Sequence, residues 1–271
     1  MATETIEFKE KNLVVSSMAE TLIGSEIIFL AWQINEKIAK GQKISNLTIG
    51  DFNPKIFPIP SKLKEEIKRA YDENETNYPP AEGCMELRKE ISAYLKSKAG
   101  LEYKTDEILV TSGARPVIFA AYNTIVDVDE VVIFPVPSWN NNHYTHLTRS
   151  RAITVETRPE NNFMPTADDI RPYIKEANLI SLCSPLNPTG TAFTENEIKN
   201  ICDLVLEENY RRGEEAKPVY VLYDQVYWQL TLGDTKHYNP VTVNPEMKDY
   251  TVFVDGISKV FASTGVRVGW G

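Results

Sequence analysis

The sequence of 271 residues has few cysteines and no long apolar run. Its three cysteines, Cys84, Cys183 and Cys202, are scattered and odd in number. This spacing excludes a zinc-finger pattern and a fully paired disulfide framework, and it indicates reduced thiols. No segment has the roughly 18 consecutive apolar residues of a transmembrane helix, and residues 1–7 contain two glutamates and no basic residue, unlike a signal peptide. We therefore expect a cytoplasmic protein with no membrane partner.

Positive charge is also in deficit. The chain has 29 Lys and Arg against 38 Asp and Glu, which gives a formal net charge of −9. Sequence-independent nucleic-acid binding requires a basic face that neutralises phosphates, so we expect no nucleic-acid partner. Any anionic ligand must instead be bound by a few cations gathered at one site. The 42% hydrophobic and 25% charged residues are ordinary for a globular protein.

Short β-branched runs recur from residue 107 onward and predict an α/β fold. The predicted strands cover residues 108–111, 131–134, 152–155, 179–183, 219–223 and 251–254. Most of them are joined by segments long enough for a helix, and Thr194-x-x-Glu197 is a capping box that begins one such helix. This alternation predicts a mostly parallel sheet covered by helices, with ligands bound at the carboxyl ends of its strands.

The first hundred residues predict helices and little chemistry. Residues 1–20 are expected to form an extended arm, and the apolar spacing predicts a helix over residues 27–38. A short strand is predicted over residues 44–49. The next helix is expected to have Ser61 as its N-terminal cap, and another helix has its apolar stripe within residues 87–95.

Two parts of the sequence have the chemistry to bind an anion. Gly113 and Ala114 follow the strand 108–111 and open a helix, and the free N–H groups of a helix N-terminus attract anions. Arg267 lies in a Gly-rich segment, and its guanidinium is suited to bidentate pairing with a phosphate. Each feature is common by itself, since such turns are frequent and most arginines lie in surface pairs.

Other strand ends have groups that suit an aromatic ligand with a carbonyl group. Trp139 offers a flat surface, although a core tryptophan is the more common role. Asn187 lies in a fixed turn between two prolines, from which its side chain can donate to a ligand oxygen. Asp224 ends a buried strand, where a carboxylate needs a cationic or protonated partner. Lys259 follows another apolar strand, where desolvation favours its neutral, nucleophilic form.

A carboxylate for a protonated ring nitrogen, a lysine for an aldehyde, a stacking aromatic and an anion site together suit pyridoxal phosphate. At this point the sequence resembles the fold-type I aminotransferases of class I/II, the aspartate aminotransferase-like family. The motifs behind the resemblance are Ser184-Pro-Leu-Asn-Pro-Thr-Gly190, Asp224-x-x-Tyr227 and Ser258-Lys259-x-Phe261-x-x-x-Gly265-x-Arg267-x-Gly269. The resemblance covers nearly the whole chain. It implies a three-layer α/β sandwich around a mostly parallel sheet, with an N-terminal arm.

The resemblance implies that Lys259, Asp224 and Tyr227 are the catalytic residues. Lys259 would bind the cofactor's aldehyde and later move the substrate's α-proton, while Asp224 would keep the ring nitrogen protonated. Tyr227 and Asn187 would contact the ring's phenolic oxygen. The other implied cofactor-binding residues are Gly113, Ala114 and Arg267 at the phosphate, Ser258, Trp139 stacked on the ring, and Tyr78, which would reach the phosphate in the neighbouring subunit. A homodimer is therefore expected.

The substrate class depends on Arg115. It directly follows the implied phosphate turn, where one bacterial subgroup of aspartate aminotransferases has a lysine that binds the distal carboxylate of a dicarboxylate. Gly50 and Asn187 would also border the substrate. We predict transamination between an amino acid, aspartate or glutamate, and a 2-oxo acid. An Arg115 that lies on the surface, or is paired within the protein, is an open alternative.

The sequence departs from the family pattern in two places. Gly256 stands where many members have a phosphate-binding serine, and the C-terminal small domain, with the arginine that binds the substrate's α-carboxylate, is expected to be missing. We expect residues 1–50 to belong with the small domain and residues 51–271 to form the large cofactor-binding domain.

Other functions of the same fold stay open. Lyases, decarboxylases and aminocyclopropane-carboxylate synthases use the same lysine, and a non-catalytic cofactor-binding regulator is a further alternative. No metal site is predicted, because His143 and His146 lack a third ligand.

Overall fold

The β-branched runs form one seven-stranded sheet in the computed structural model, which describes residues 14–271. The strands are β1 (Val110–Thr111), β2 (Val131–Val136), β3 (Arg151–Glu156), β4 (Ala177–Cys183), β5 (Tyr220–Asp224), β6 (Thr251–Gly256) and β7 (Gly269–Trp270). Their order across the sheet is β1-β7-β6-β5-β4-β2-β3. The five strands from β6 to β3 are parallel, and β7 is antiparallel to both of its neighbours. The predicted mostly parallel sheet is confirmed.

Helices flank the sheet and precede it in the chain. They are α1 (Ser17–Glu20), α2 (Glu26–Ala39), α3 (Ser61–Asp72), α4 (Met85–Tyr94), α5 (Ala114–Ile125), α6 (Asn141–Thr148), α7 (Ala167–Ile170), α8 (Glu195–Arg212), α9 (Pro240–Val243) and α10 (Ile257–Val260). The capping box at the start of α8 is confirmed: Thr194 N donates to Glu197 Oε2 at 2.7 Å, and Glu197 N donates to Thr194 Oγ1 at 3.3 Å. Within residues 14–271, no helix has both the length and the apolar character that crossing a bilayer requires.

Both faces of the sheet are apolar. Successive side chains of a strand point to opposite faces, and neighbouring residues of β2 and β4 are buried on each side. On one face, Ile133 and Ile180 belong to a core that includes α8 and the end of α4. On the other face, Phe134, Leu179 and Leu222 pack with α5 and α6. This arrangement is the predicted three-layer sandwich. The same two-residue period places Asp224, two positions after Leu222, on the α5 side of the sheet.

Two predictions for the N-terminal part, the strand and the helix cap, are wrong, and a third, the arm, lies partly outside the described residues. Residues 44–49 form no strand, since no strand of the described residues 14–271 pairs with them and Leu47 is almost fully exposed. Ser61 is the first helical residue of α3 and not its cap; Pro60 holds the cap position, and no side chain caps this end. The predicted arm lies partly outside the described residues, and its last four residues, Ser17–Glu20, form the helical turn α1, capped by Ser16.

The antiparallel strand β7 is absent from the sequence prediction. It pairs with β1 through Val110 and Thr111 and with β6 through Asp255 and Gly256. Gly269 must be a glycine here, because a Cβ at this position would lie 2.5 Å from the backbone nitrogen of Ala114. The segment after Lys259 thereby returns to the start of α5.

A buried amide joins α8 to the start of β5. Asn209 Nδ2 donates to the carbonyl oxygen of Val219 at 3.0 Å, and Val219 N donates to Asn209 Oδ1 at 2.7 Å. Both residues are buried. The side chain thus satisfies backbone groups of Val219 just before β5 begins.

We predict that Asn209→Ala lowers the free energy of unfolding by about 2–4 kcal/mol. Both polar backbone groups of Val219 would be left buried without a partner, at about 1–3 kcal/mol each. Urea denaturation of the full-length protein, followed by circular dichroism, measures the change. Asn123→Ala is the control, because it removes only an exposed amide that donates to the Phe119 carbonyl within α5, and we expect a change within about 0.5 kcal/mol. Equal losses in the two variants would contradict the role of Asn209.

Candidate active site

A cavity of about 700 Å³ lies at the carboxyl ends of the parallel strands. Strands β4, β5 and β6 are neighbours in the sheet, and Asn187, Asp224 and Lys259 lie at or just after their carboxyl ends. The predicted site residues that line the cavity are Gly50, Ala114, Arg115, Trp139, Asn187, Asp224, Tyr227, Ser258, Lys259 and Arg267. The order of the strands therefore gathers groups that are distant in sequence.

Asp224 occupies the end of β5. Val226 N donates to its Oδ1 at 3.1 Å. Burial raises the pKa of Asp224 to about 6, while the bond from Val226 and the charge of Lys259 act in the opposite direction. Within residues 14–271, no lysine, arginine or histidine forms an ion pair with this carboxyl group. A cation bound in the cavity would therefore stabilise the carboxylate.

Lys259 lies in the single-turn helix α10, directly after β6. Its Nζ donates to the carbonyl oxygen of Gly50 at 2.9 Å and lies 5.5 Å from the centroid of the Tyr227 ring. Burial is the largest influence on this amine and lowers its pKa. A lowered pKa increases the neutral fraction, which is the form that attacks a carbonyl carbon.

Tyr227 and Asn187 form a pair on the same wall. Asn187 Nδ2 donates to Tyr227 Oη at 3.2 Å. Burial raises the pKa of Tyr227 to about 12, against the smaller opposing effect of Asn187. Tyr227 is therefore a neutral phenol at physiological pH. Since its oxygen already accepts a bond from Asn187, its O–H is oriented to donate to a ligand acceptor.

The two anion-binding features of the sequence meet at one end of the cavity. Gly113 has φ +97°, and a Cβ added there would overlap the guanidinium of Arg267. Arg267 Nη1 donates to the carbonyl oxygen of Thr264 at 2.7 Å. Glycine at position 113 therefore lets a guanidinium approach the N-terminus of α5. Both groups attract an anion, and together they form a site of the kind that binds phosphate.

Arg115 extends from the first turn of α5 toward Trp139. Its guanidinium carbon lies 5.9 Å from the centroid of the Trp139 ring. When the Asn140 amide is oriented to satisfy its neighbours, its oxygen accepts from Arg115 Nη2 at 2.7 Å and from Trp139 Nε1 at 3.1 Å. None of the ion pairs within residues 14–271 includes Arg115. Its charge faces the cavity without a carboxylate partner.

Two predicted site residues do not line the cavity. Gly113 lies behind the Arg267 guanidinium, and Tyr78 is fully exposed between α3 and α4.

His146 lies in α6, and its Nε2 is 2.7 Å from the carbonyl oxygen of Met18. In the described part of the chain, no group of three or more His, Cys, Asp or Glu side chains is arranged to hold a metal ion.

Sequence reasoning missed several residues of the site, and three of them make polar contacts there. Asp51 and Thr264 line the cavity and are joined by a hydrogen bond, and Asn140 contacts Arg115 and Trp139. Asp51 directly follows Gly50, and Thr264 lies inside the motif that contains Lys259 and Arg267, so their positions gave a signal. Asn140 gave none, because its role depends on a left-handed backbone with φ 60°.

Comparison with known proteins identifies, over most of the chain, the family that the sequence motifs indicate. The family model for aminotransferase class I and II matches residues 42–271. The probable aspartate/prephenate aminotransferase of Rhizobium leguminosarum bv. phaseoli is 32% identical over 91% of this chain and 59% of its own length. The aspartate aminotransferase of Bacillus subtilis is 28% identical over 94% of this chain and 63% of its own length.

A solved structure agrees with these relatives. The aspartate aminotransferase from Thermus thermophilus with maleate superposes with a TM-score of 0.84 at 27% identity, over 94% of this chain and 63% of that one. The chain thus spans about three fifths of the length of the relatives it matches. Because the family model covers most of the sequence and the fold agrees with a solved member, the chain belongs to the aminotransferase class I and II family.

Proposed function

We propose that this chain forms the cofactor-binding part of a pyridoxal-phosphate-dependent aminotransferase that exchanges an amino group between aspartate or glutamate and a 2-oxo acid. One observation supports this function above the others: a desolvated lysine, a buried acid and an anion site open on the same cavity. The lysine suits the aldehyde of pyridoxal phosphate, the acid suits its ring nitrogen, and the anion site suits its phosphate. Membership of the aminotransferase family supports the same reaction.

The residues of the cavity fit pyridoxal phosphate. Ala114, Ser258 and Arg267 would hold its phosphate, with Gly113 behind Arg267 at the start of α5. Trp139 would lie against its ring, Asn187 and Tyr227 would contact its phenolic oxygen, and Asp224 would pair with its protonated nitrogen. The volume of about 700 Å³ is within the usual range for a site that holds a small ligand. When bound, the cofactor supplies an electron sink for negative charge at the substrate's α-carbon.

Three side chains would perform the proton chemistry. Lys259 Nζ, whose pKa is lowered by burial, would hold the cofactor at its aldehyde carbon and, after the substrate's amine has displaced it, would take the proton from the substrate's α-carbon as the free amine. Asp224, whose pKa is raised by burial, becomes a stable carboxylate once a cationic nitrogen lies beside it. Tyr227 remains a hydrogen-bond donor because its pKa is raised to about 12, and Asn187 holds its oxygen in place.

The acidic substrate is proposed from Arg115. Its guanidinium has no carboxylate partner among the described residues and lies against Trp139 at the cavity wall. A bidentate pair with a distal carboxylate would satisfy it. Two of the relatives above are named for aspartate, and the Thermus structure is described with maleate, a dicarboxylate.

We also propose the domain division, a homodimer and a cytoplasmic location. In α2, Ala31 is the only buried residue while Phe29 and Trp32 are exposed, which supports placing residues 1–50 with a small domain and residues 51–271 in the large domain. The fully exposed Tyr78 supports a contact with a neighbouring subunit. The three cysteines are free thiols, which supports a reducing compartment.

The full-length protein, supplied with pyridoxal phosphate, aspartate and 2-oxoglutarate, is expected to form oxaloacetate and glutamate in equal amounts. Lys259→Arg keeps the positive charge but removes the amine that attacks and moves protons, so the rate should fall roughly a thousandfold or more. Chromatography with mass detection measures both products. Release of carbon dioxide or ammonia in place of glutamate would contradict transamination and favour a decarboxylase or a lyase.

We predict that Arg115→Ala lowers kcat/KM for aspartate about tenfold or more and leaves that for alanine nearly unchanged. The variant loses a charge-assisted bond to the distal carboxylate, which alanine lacks, and such bonds contribute about 1.5–3 kcal/mol. Arg115→Lys is the matched control and should retain part of the preference, because it keeps the charge without the bidentate geometry. An equal decrease of kcat/KM for aspartate and alanine in Arg115→Ala would show that Arg115 does not bind the distal carboxylate of the substrate.

A further inference from the structure

Gly50 and Asp51 reach the cavity from the segment before α3. Both contact the segment after β6, more than 200 residues later in the chain. The Gly50 carbonyl accepts from Lys259 Nζ at 2.9 Å, and Asp51 Oδ1 accepts from Thr264 Oγ1 at 2.7 Å. One short segment therefore contacts the reactive amine and, at Thr264, the loop that leads to the anion site.

Thr264 connects Asp51 to the anion site. Its hydroxyl donates to Asp51, and its carbonyl oxygen accepts from Arg267 Nη1 at 2.7 Å. Arg267 in turn lies over Gly113 at the N-terminus of α5. The chain of contacts Asp51, Thr264, Arg267 fixes the loop and limits the directions that the guanidinium can take.

Asp51 is also the largest charge influence on Lys259. Asp51 and Asp224 raise the pKa of the amine, Arg267 and Arg115 lower it, and burial, which also lowers it, is larger than any one of the four. Tyr227, whose ring also faces the amine, is neutral. No lysine or arginine pairs with Asp51 in the described part of the chain, so its charge is not cancelled by a direct contact.

We propose that Asp51 is a positioning residue with two separable effects: it orients Arg267 through Thr264, and it supplies the negative charge that balances Lys259. The inference builds on the proposed function and assigns Asp51 to the same site. An alternative is a purely local role, since Asp51 Oδ1 also accepts from the backbone nitrogen of Phe52 at 3.0 Å. A local turn would affect neither Lys259 nor the anion site.

The charge effect is tested in the cofactor-free, full-length protein with Asp51→Asn. Asparagine keeps an oxygen for Thr264 and Phe52 but has no charge. Because a carboxylate raises the pKa of the amine, its removal should shift the pH midpoint of Lys259 acetylation downward by roughly half a pH unit at low salt. The shift should shrink in 1 M salt, where charges are screened within about 3 Å. Peptide mass spectrometry measures acetylation of Lys259 at each pH.

Asp129→Asn is the matched control for this measurement. Asp129 is exposed, precedes β2 at the opposite end of the sheet, and has φ 65°, a conformation that asparagine tolerates. We expect the same Lys259 midpoint as in the wild type. An unchanged midpoint in Asp51→Asn, or an equal shift in Asp129→Asn, would overturn the charge effect.

The orienting effect is tested with Thr264→Val, which removes the hydroxyl and keeps the carbonyl. The dissociation constant for pyridoxal phosphate should rise about fivefold, as expected for one lost hydrogen bond. Thr264→Ser should restore the wild-type value, and Asp51→Ala, which removes the acceptor of the Thr264 hydroxyl, should raise the dissociation constant about as much as Thr264→Val. Wild-type affinity in Thr264→Val would overturn this effect. If the wild type itself fails to bind pyridoxal phosphate, the proposed function fails, while the acetylation midpoints still decide the charge effect.

Discussion

Desolvation of an acid and an amine at one edge of a parallel sheet is the constraint on which this site depends. Burial raises the pKa of Asp224 and lowers that of Lys259, so the cavity disfavours the charged form of both. A ligand that presents a cationic ring nitrogen to the acid and an aldehyde to the amine relieves both penalties together. The adjacent positions of β5 and β6 in the sheet make this possible, because each strand delivers one of the two groups.

The central part of the fold could be predicted from the sequence because its signals are local. The β-branched runs gave the five parallel strands, and the residues at their ends gave Asn187, Asp224 and Lys259. The pairing of β7 could not be predicted, since its two residues are a strand only by virtue of the neighbours β1 and β6. Residues 44–49 failed in the opposite way: they have strand-like composition but no partner within the described chain.

The geometry of the site depends on contacts between distant segments, and this part was less predictable. Gly113 and Arg267 were each identified as common features, but their packing against one another is tertiary. The surroundings of Arg115 depend on the left-handed conformation of Asn140, and no sequence pattern predicts that conformation. Asp51 and Thr264 lie more than 200 residues apart in the chain. Only the folded chain brings them together beside Lys259.

Chemical trapping tests whether Lys259 is the amine that binds the cofactor. The full-length protein is incubated with pyridoxal phosphate, reduced with borohydride and digested, and the modified peptide is identified by mass spectrometry. We expect the stoichiometric label on Lys259, and we expect Asp224→Asn to leave the labelled position unchanged. Stoichiometric label on another lysine, with Lys259 unmodified, would contradict the claim.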